Sequence, residues 1–294
     1  MVESKTLGTK ITKVIIYVVL GILAFSCLYP LWYAFCLSVS DKTAANSGMV
    51  TVWPVNFTTI SYREIMGEGK FFNSFWISVQ RTGLGTAFTI LVLIMFAYPM
   101  SKTKKQFRPI NIFKWAALFC MVFNGGAIPW YITMVNYKMI DSMPGLILCG
   151  GLPVFNLILM INFFRSLPES LEEAAVVDGA GPWRILFGIV VPCSVPVLAT
   201  IVLFTGVGYW NEFFQGMVLS SSDKNYPLQA YIQQMVITTQ MNQMNPDELK
   251  LLSQMSNKSL NAAKIFIAMI PMLCVYPFLQ RYFVSGVLLG AVKG

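Results

Sequence analysis

The sequence predicts an all-α, polytopic membrane protein with six transmembrane helices. Hydrophobic residues make up 56% of its 294 residues and charged residues only 12%, and the mean hydropathy is +0.63. A water-soluble domain needs a larger polar share to cover its surface. The apolar residues are also gathered into six long segments that polar residues separate. These observations place the chain in a lipid bilayer.

Each apolar segment is about long enough to cross a bilayer, whose core of about 30 Å needs roughly 20 helical residues. The first segment is not expected to be a removable signal peptide, because it is too long and no small-residue cleavage site follows it. Asn124, Gly125, Gly126 and Pro129 predict a kink in the third, although tight helix packing across the glycines would explain them equally well. The predicted spans are Val14–Phe35, Phe75–Met100, Ile112–Met134, Leu146–Phe164, Ile185–Trp210 and Ile265–Tyr282.

The charges in the loops predict the orientation. With the N-terminus in the cytoplasm, the inner segments hold twelve Lys and Arg against five acids, whereas the outer segments hold eight of each. The positive-inside rule therefore places both termini in the cytoplasm of a cell membrane. Residues 1–13 then form a cytoplasmic segment and residues 14–294 the transmembrane domain. The basic excess is explained by anionic lipid, and we expect no nucleic acid partner.

Several function classes are disfavoured by residues that the chain lacks. It has no histidine, the usual general base and commonest metal ligand. Its six cysteines form no CxxC pair, so we expect no metal site and no catalytic residues. All Asp and Glu lie in loops or at span ends, which disfavours an ion-coupled secondary transporter. A membrane enzyme is disfavoured because no nucleophile with a base is evident.

A patterned polar segment, residues 165–184, separates the fourth and fifth spans. Ser166, Pro168 and Glu169 predict a helix start with a capping box. Gly179 and Gly181 predict the helix end, and Pro182 predicts the start of the next helix. The Glu173 carboxylate and small neighbouring residues would let another protein approach closely. An ordinary interfacial loop with good caps would explain the caps and the charges, but not the small face.

This segment resembles the cytoplasmic loop of ATP-binding cassette (ABC) importer permeases, with Glu173-Ala174-Ala175, Gly179, Ile189 and Pro192 at the family's spacing. It is most similar to the carbohydrate branch, the MalG-like permeases, and within it to the LplC/YtcP type for oligo- or polysaccharides. Tyr29-Pro30, Trp53-Pro54 and Trp210-Asn211-Glu212-Phe213 also match. Pro99 departs from the pattern, since the branch commonly has alanine there.

The resemblance implies a type I importer permease fold in which a cytoplasmic coupling helix docks on a separate ATPase. The residues implied in coupling are Glu172, Glu173, Ala174, Ala175, Asp178, Gly179, Ala180 and Pro192. The implied partners are a homologous second permease, two ABC ATPase subunits, an extracellular solute-binding protein and a saccharide substrate moved by alternating access. The chain has no G-x-x-x-x-G-K-[ST] run, so we expect no cofactor in it, with ATP and Mg bound by the partner ATPase. A permease for another solute delivered by a binding protein remains the alternative.

Polar and aromatic residues in the spans are candidates for the substrate path. Arg81 should point inward because a charge in the bilayer is costly, although a structural pair with a carbonyl or with the partner permease is at least as good an explanation. Asn156 could instead form an interhelical hydrogen bond. A group at the end of the fifth span could stack on a sugar or form an aromatic belt at the membrane surface. Its members are Tyr209, Trp210, Asn211, Glu212 and Phe213.

Overall fold

The computed structural model describes residues 7–241 and 258–291, and within them the secondary structure is helical throughout. This confirms the predicted all-α class. A π-helical turn covers Leu186–Val190 and a 3₁₀ turn covers Asp223–Asn225. The α-helices are α1 (Leu7–Ser38), α2 (Lys42–Asn46), α3 (Ile60–Gly67), α4 (Gly69–Ser101), α5 (Ile110–Val122), α6 (Ala127–Asn136), α7 (Met143–Leu148), α8 (Val154–Ser166), α9 (Glu169–Val177), α10 (Pro182–Ile185), α11 (Val191–Cys193), α12 (Val195–Asn211), α13 (Phe214–Leu219), α14 (Leu228–Met241) and α15 (Lys258–Ala291).

Three helices in the described part of the chain are long and apolar enough to cross a membrane by themselves: Lys10–Ser38, Gly69–Ser101 and Lys258–Val275. Two bent pairs, α5 with α6 and α10–α11 with α12, would bring the number to five if each pair is one span. Helix α8 is apolar but has only 13 residues, about 20 Å of helix. It covers the second part of the predicted fourth span, whose first part lies in α7 and the connection to Pro153.

The third predicted span is broken by its glycines, as the sequence indicates. Helices α5 and α6 are bent by 115°. Gly126 has φ +85°, a conformation that few residues other than glycine adopt, and its N–H donates to the Asn124 side chain at 3.0 Å. The kink prediction is therefore confirmed, and the bend is sharper than a kink within one helix.

The fifth predicted span is also bent, which the sequence analysis did not anticipate. Pro192 has no N–H to donate to the preceding turn, and the π-helical turn lies directly before it. A second proline, Pro196, starts α12, and the two helices meet at 81°. The bend arises because each proline opens a new helical segment within the predicted span Ile185–Trp210.

The chain divides into two compact units, of which the first is Met1–Gly69 with Gln234–Ile270. A polar cluster joins its segments. The Ser259 hydroxyl donates to the Ser40 carbonyl at 2.8 Å and lies 3.0 Å from the Ser61 hydroxyl. Lys264, which is 4% exposed, forms an ion pair with Glu68. These contacts attach the start of α15 to the segment around α2 and α3.

The second unit comprises Lys70–Gln233 and Pro271–Gly294. Its main apolar core gathers side chains from α4, α8, the π-helical turn and α12, and includes Leu157 and Met160 of α8. Ala175 of α9 belongs to the same core. The short helix α9 is thereby packed against the membrane-type helices rather than held only by its two connections.

Candidate functional site

Helix α9 begins at Glu169, later than the start that a Ser166 cap predicts, and its cap also differs from the prediction. Pro168 is the N-cap residue and makes no side-chain hydrogen bond. The Ser166 hydroxyl instead donates to the Phe163 carbonyl at 2.7 Å, because Ser166 is still the last residue of α8. The capping box predicted with Glu169 is therefore absent. Acidic residues in the first turn still favour the helix start through the helix dipole.

The end of α9 is a Schellman motif built on Gly179. Gly179 has φ +77°, its N–H donates to the Val176 carbonyl at 3.0 Å, and the Ala180 N–H donates to the Ala175 carbonyl at 2.9 Å. Gly181 then precedes α10, with Pro182 in its first turn. The predicted stop and restart are confirmed, since only glycine adopts the left-handed conformation without strain.

The two faces of α9 differ in exposure. Glu172 is half-buried and Ala175 is 7% exposed, and the two side chains lie three residues apart on the face that packs against the core. Glu173 and Ala174 are exposed, and Val177 is 88% exposed. Within the described residues the Glu173 carboxylate forms no hydrogen bond or ion pair. We call the exposed residues Glu173, Ala174, Val177, Asp178 and Gly179 the outer face.

The coupling residues inferred from the sequence are thus divided by the structure. The sequence led us to expect Ala175 on an accessible surface of small residues. Ala175 instead faces the core and is not open to a partner. Ala180 is half-buried and packs on the same core. Pro192 is exposed and lies in α11, beyond the π-helical turn. The structure therefore does not place all eight residues on one accessible surface.

Two basic residues that the sequence analysis only counted as charges contact this region. Lys102, directly after α4, forms an ion pair with Glu172. Arg165, in the last turn of α8, donates to the carbonyls of Met100 at 3.0 Å and Ser101 at 3.3 Å. A cation just after a helix C-terminus is a recognisable signal, but its partner 70 residues away is not visible in the sequence.

Arg81 is the centre of a second cluster. Its side chain is 1% exposed, and its guanidinium donates to the carbonyls of Leu146 at 3.0 Å and Glu212 at 3.1 Å. It also forms an ion pair with the Glu212 carboxylate at 2.9 Å. The same carboxylate accepts from the N–H groups of Gln215 at 2.6 Å and Gly216 at 3.3 Å, which caps α13. Arg81 points inward, as expected, and carbonyl groups within this chain are among its partners.

Tyr209 is held by the same cluster. Its ring lies 5.8 Å from the Arg81 guanidinium and directly against Gly85. Its hydroxyl donates to the Ile147 carbonyl at 2.8 Å and lies 3.0 Å from the Thr89 hydroxyl. The side chain is therefore engaged on both its ring and its hydroxyl.

The remaining substrate-path candidates fall into two groups. The Asn156 amide donates to the Thr205 hydroxyl at 3.1 Å, which is the interhelical hydrogen bond that the sequence analysis weighed. Trp210 is 3% exposed and meets the Phe75 ring edge-on. Asn211 is exposed and Phe213 is 39% exposed, so these two are the most accessible members of the set.

Sequence reasoning missed part of the Arg81 cluster. Cys149 is buried beside Arg81, and its thiol lies 2.9 Å from the Gln215 side-chain oxygen. The Trp130 indole donates to the Cys149 carbonyl at 3.0 Å. No local pattern connects these positions, because they lie on separate segments of the chain. No group of His, Cys, Asp or Glu in the described part of the chain could hold a metal ion.

Asp141 connects two loops outside the predicted spans. Its carboxylate accepts from the N–H groups of Ser221 at 2.6 Å and Ser222 at 3.0 Å. Burial raises the pKa of Asp141, but the hydrogen bonds from Ser222 and Ser221 outweigh it and hold the pKa below its usual value. Asp141 has φ +52°, which aspartate and asparagine tolerate better than most residues.

Known proteins resemble this chain over nearly its whole length. A family described as "Binding-protein-dependent transport system inner membrane component" matches residues 4–288. The polygalacturonan/rhamnogalacturonan transport system permease protein YtcP of Bacillus subtilis strain 168 is 33% identical over 97% of this chain and 99% of that protein. Protein LplC of the same strain is 33% identical over 91% of this chain and 90% of its own.

A solved structure has the same fold. The crystal structure of a bacterial ABC transporter involved in the import of the acidic polysaccharide alginate contains a chain that is 30% identical to this one. The two superpose with a TM-score of 0.84, over 96% of this chain and 99% of that chain. The fold predicted from the Glu-Ala-Ala loop, that of a type I importer permease, is confirmed. This chain belongs to the family of inner membrane components of binding-protein-dependent transport systems and is a membrane subunit rather than an enzyme.

Proposed function

We propose that this chain is the permease subunit of an ABC importer that moves oligo- or polysaccharides across the cell membrane by alternating access. Of the relatives with at least 30% identity and near-complete coverage, YtcP is named for polygalacturonan and rhamnogalacturonan and the solved transporter for alginate, and a more distant relative is named for melibiose, raffinose and stachyose. A relative at 26% identity is named for glycerol 3-phosphate, so another solute delivered by a binding protein is the competing function. A secondary transporter has no comparable support.

The outer face of α9 is the surface that we assign to the ATPase. The observation that carries this assignment is the exposed Glu173 carboxylate beside Val177, on a helix whose opposite face is fixed in the core. A carboxylate without a partner can pair with a basic group on another protein, and an exposed apolar side chain gains from burial there. The Gly179 turn ends the helix and keeps its tip free of bulky side chains.

We infer the rest of the assembly from membership of a binding-protein-dependent transport family. A second homologous permease completes the pathway, two ATPase subunits bind ATP and Mg, and a solute-binding protein delivers the saccharide on the opposite side. With α9 facing the ATPases, both termini lie in the cytoplasm, in agreement with the positive-inside count. Asn211 and Phe213 are the substrate-path residues that we retain, because an amide and an exposed ring suit the hydroxyls and faces of a sugar.

Mutations on the outer face test the coupling role. The tagged chain is expressed with its partners in membrane vesicles, which are given ATP and tritium-labelled raffinose, alginate oligosaccharides and oligogalacturonides. We expect Glu173→Ala to reduce uptake per ATP hydrolysed while the chain still inserts in the membrane. Lys105→Ala, in an exposed loop, is the control. Unchanged uptake in Glu173→Ala would rule out the coupling role, and uptake that needs an ion gradient but no ATP would rule out the importer.

A matched pair of glycines tests the turn. Gly179 and Gly181 are both exposed, and an added methyl group would meet no neighbour within 4 Å at either. Only Gly179 has a positive φ, so Gly179→Ala costs about 1–2 kcal/mol in the turn and Gly181→Ala does not. Gly179→Pro is harsher, since proline cannot adopt φ +77° and cannot donate to Val176. We expect uptake to be highest in Gly181→Ala, lower in Gly179→Ala and lowest in Gly179→Pro.

A further inference from the structure

The C-terminal end of α4 is attached to α9 by charged contacts that the proposed function does not use. Lys102 follows the last residue of α4, and its ammonium group pairs with the Glu172 carboxylate on α9. The same ammonium group lies 4.2 Å from the centre of the Tyr98 ring. The two charged side chains are 17% and 28% exposed, so water screens this pair less than it screens a pair on an open surface.

Arg165 joins the same end of α4 from another side. The last carbonyls of a helix have no partner within it, and Arg165 donates to two of them, Met100 at 3.0 Å and Ser101 at 3.3 Å. Its planar guanidinium can reach both at once, which the single ammonium group of lysine cannot reproduce. Because Arg165 lies in the last turn of α8, it holds the ends of α4 and α8 together just before the chain enters α9.

The apolar core completes the attachment. Ala175 of α9 and Met100 of α4 are both buried in one core cluster. Glu172 and Ala175 therefore anchor one face of α9, while Glu173 and Val177 occupy the other. The helix has only nine residues and is bounded by Pro168 and the Gly179 turn. If this face were not anchored, a force applied by an ATPase to the outer face would rotate so short a helix instead of moving the helices packed against it.

We propose that Lys102 is a positioning residue that fastens α9, through Glu172, to the C-terminal end of α4, while Arg165 holds the end of α8 against the same end of α4, so that movement imposed on α9 by the ATPases is passed to α4. This inference rests on the proposed function, since it needs α9 to be the coupling helix. Beyond the coupling role of α9, it specifies that α4 receives the movement and which residues transmit it. A single, partly exposed ion pair adds little to overall stability, so we assign the Lys102–Glu172 pair a role in positioning α9.

The test separates attachment from docking. Lys102→Met and Glu172→Gln remove the ion pair while keeping side chains of similar size, and Lys105→Met is the matched control because Lys105 is an exposed lysine three residues away. The full transporter, with its partner permease, ATPases and binding protein, is reconstituted in vesicles. The measurements are the amount of ATPase that copurifies with the tagged chain and the saccharide taken up per ATP hydrolysed, with the same labelled saccharides as above.

We expect Lys102→Met and Glu172→Gln to keep the ATPases bound and to lower uptake per ATP about threefold to fivefold, the upper part of the range that a partly exposed ion pair can supply. Lys102→Arg, which keeps the charge, and the exchange Lys102→Glu with Glu172→Lys should each restore most of the ratio. A merely structural role would lower the yield of folded protein but leave uptake per ATP unchanged.

Two results would overturn the proposal. One is an unchanged ratio in both single variants with the ATPases still bound. The other is loss of ATPase copurification in Lys102→Met, which would make Lys102 part of the docking surface. Failure of the proposed function gives a different result, in which Glu173→Ala and Gly179→Pro leave uptake and ATPase binding as in the wild type.

Discussion

Replacing Gly85 with alanine should destabilise the protein by about 3 kcal/mol, because the new methyl group would enter the space of the Tyr209 ring. Gly85 is buried in α4, and a Cβ atom there would lie 2.7 Å from the Tyr209 Cζ atom and 2.9 Å from both Cε atoms. Ordinary contact begins at 3.4 Å, so the ring would have to retreat by about 0.7 Å.

The ring cannot make that movement freely. Its hydroxyl is 2.8 Å from the Ile147 carbonyl and 3.0 Å from the Thr89 hydroxyl, so a retreat weakens two hydrogen bonds of about 1 kcal/mol each. Overpacking a filled site adds about 1–3 kcal/mol. The Arg81 guanidinium, 5.8 Å from the ring centre, would lose part of its cation–π contact as well.

Gly83 provides the matched control, since it is exposed on the same helix and an added methyl group would meet nothing within 4 Å. Gly83→Ala should leave stability unchanged or raise it by up to about 1 kcal/mol through helix propensity. The assay is the midpoint of thermal aggregation in detergent, followed by size-exclusion chromatography. Equal midpoints for Gly85→Ala and Gly83→Ala would refute the packing of Tyr209 on Gly85.

Two further predictions concern buried and loop charges. Arg81→Met should lower stability by about 3 kcal/mol because it leaves the Glu212 carboxylate without its cation, and adding Glu212→Gln should recover part of the loss; a double variant no better than Arg81→Met would contradict the pairing. The lowered pKa of Asp141 implies a stabilisation that is fully present above the usual value of 3.8 and is lost as the pH falls through the lowered value. Protection of the Ser221 amide from hydrogen exchange, measured against its intrinsic rate at each pH, should therefore fall at acidic pH, and in Asp141→Asn, which suits the positive φ, this protection should no longer depend on pH.

Local features of the site could be predicted where they depend on neighbouring residues. Gly179 and Pro182 predicted the end of α9 and the start of α10, because backbone freedom and ring geometry act within one turn. The helix start was predicted less well, since whether Ser166 caps α9 or closes α8 depends on where α8 ends. Glycines 125 and 126 predicted a break in the third span but not its angle of 115°.

The functional contacts could not be predicted because their partners are distant in sequence. Arg81 and Glu212 are 131 residues apart, and Lys102 and Glu172 are 70 apart. Sequence reasoning placed Arg81 inward from the cost of a charge in lipid, yet nothing in the local pattern selects Glu212 among the acids of the chain. Helix packing makes that selection when it brings particular side chains within about 4 Å.

Composition and local pattern alone determined that this is a helical membrane protein, where its apolar segments lie and where the loop helix ends, because hydrophobicity and backbone sterics act residue by residue. The Glu-Ala-Ala pattern indicated its family. Only the tertiary structure decided that Ala175 faces the core while Glu173 faces outward, and that Tyr209 and Arg81 are engaged with each other. Those outcomes depend on which helices pack together and at what angle, a property of the whole chain rather than of any segment.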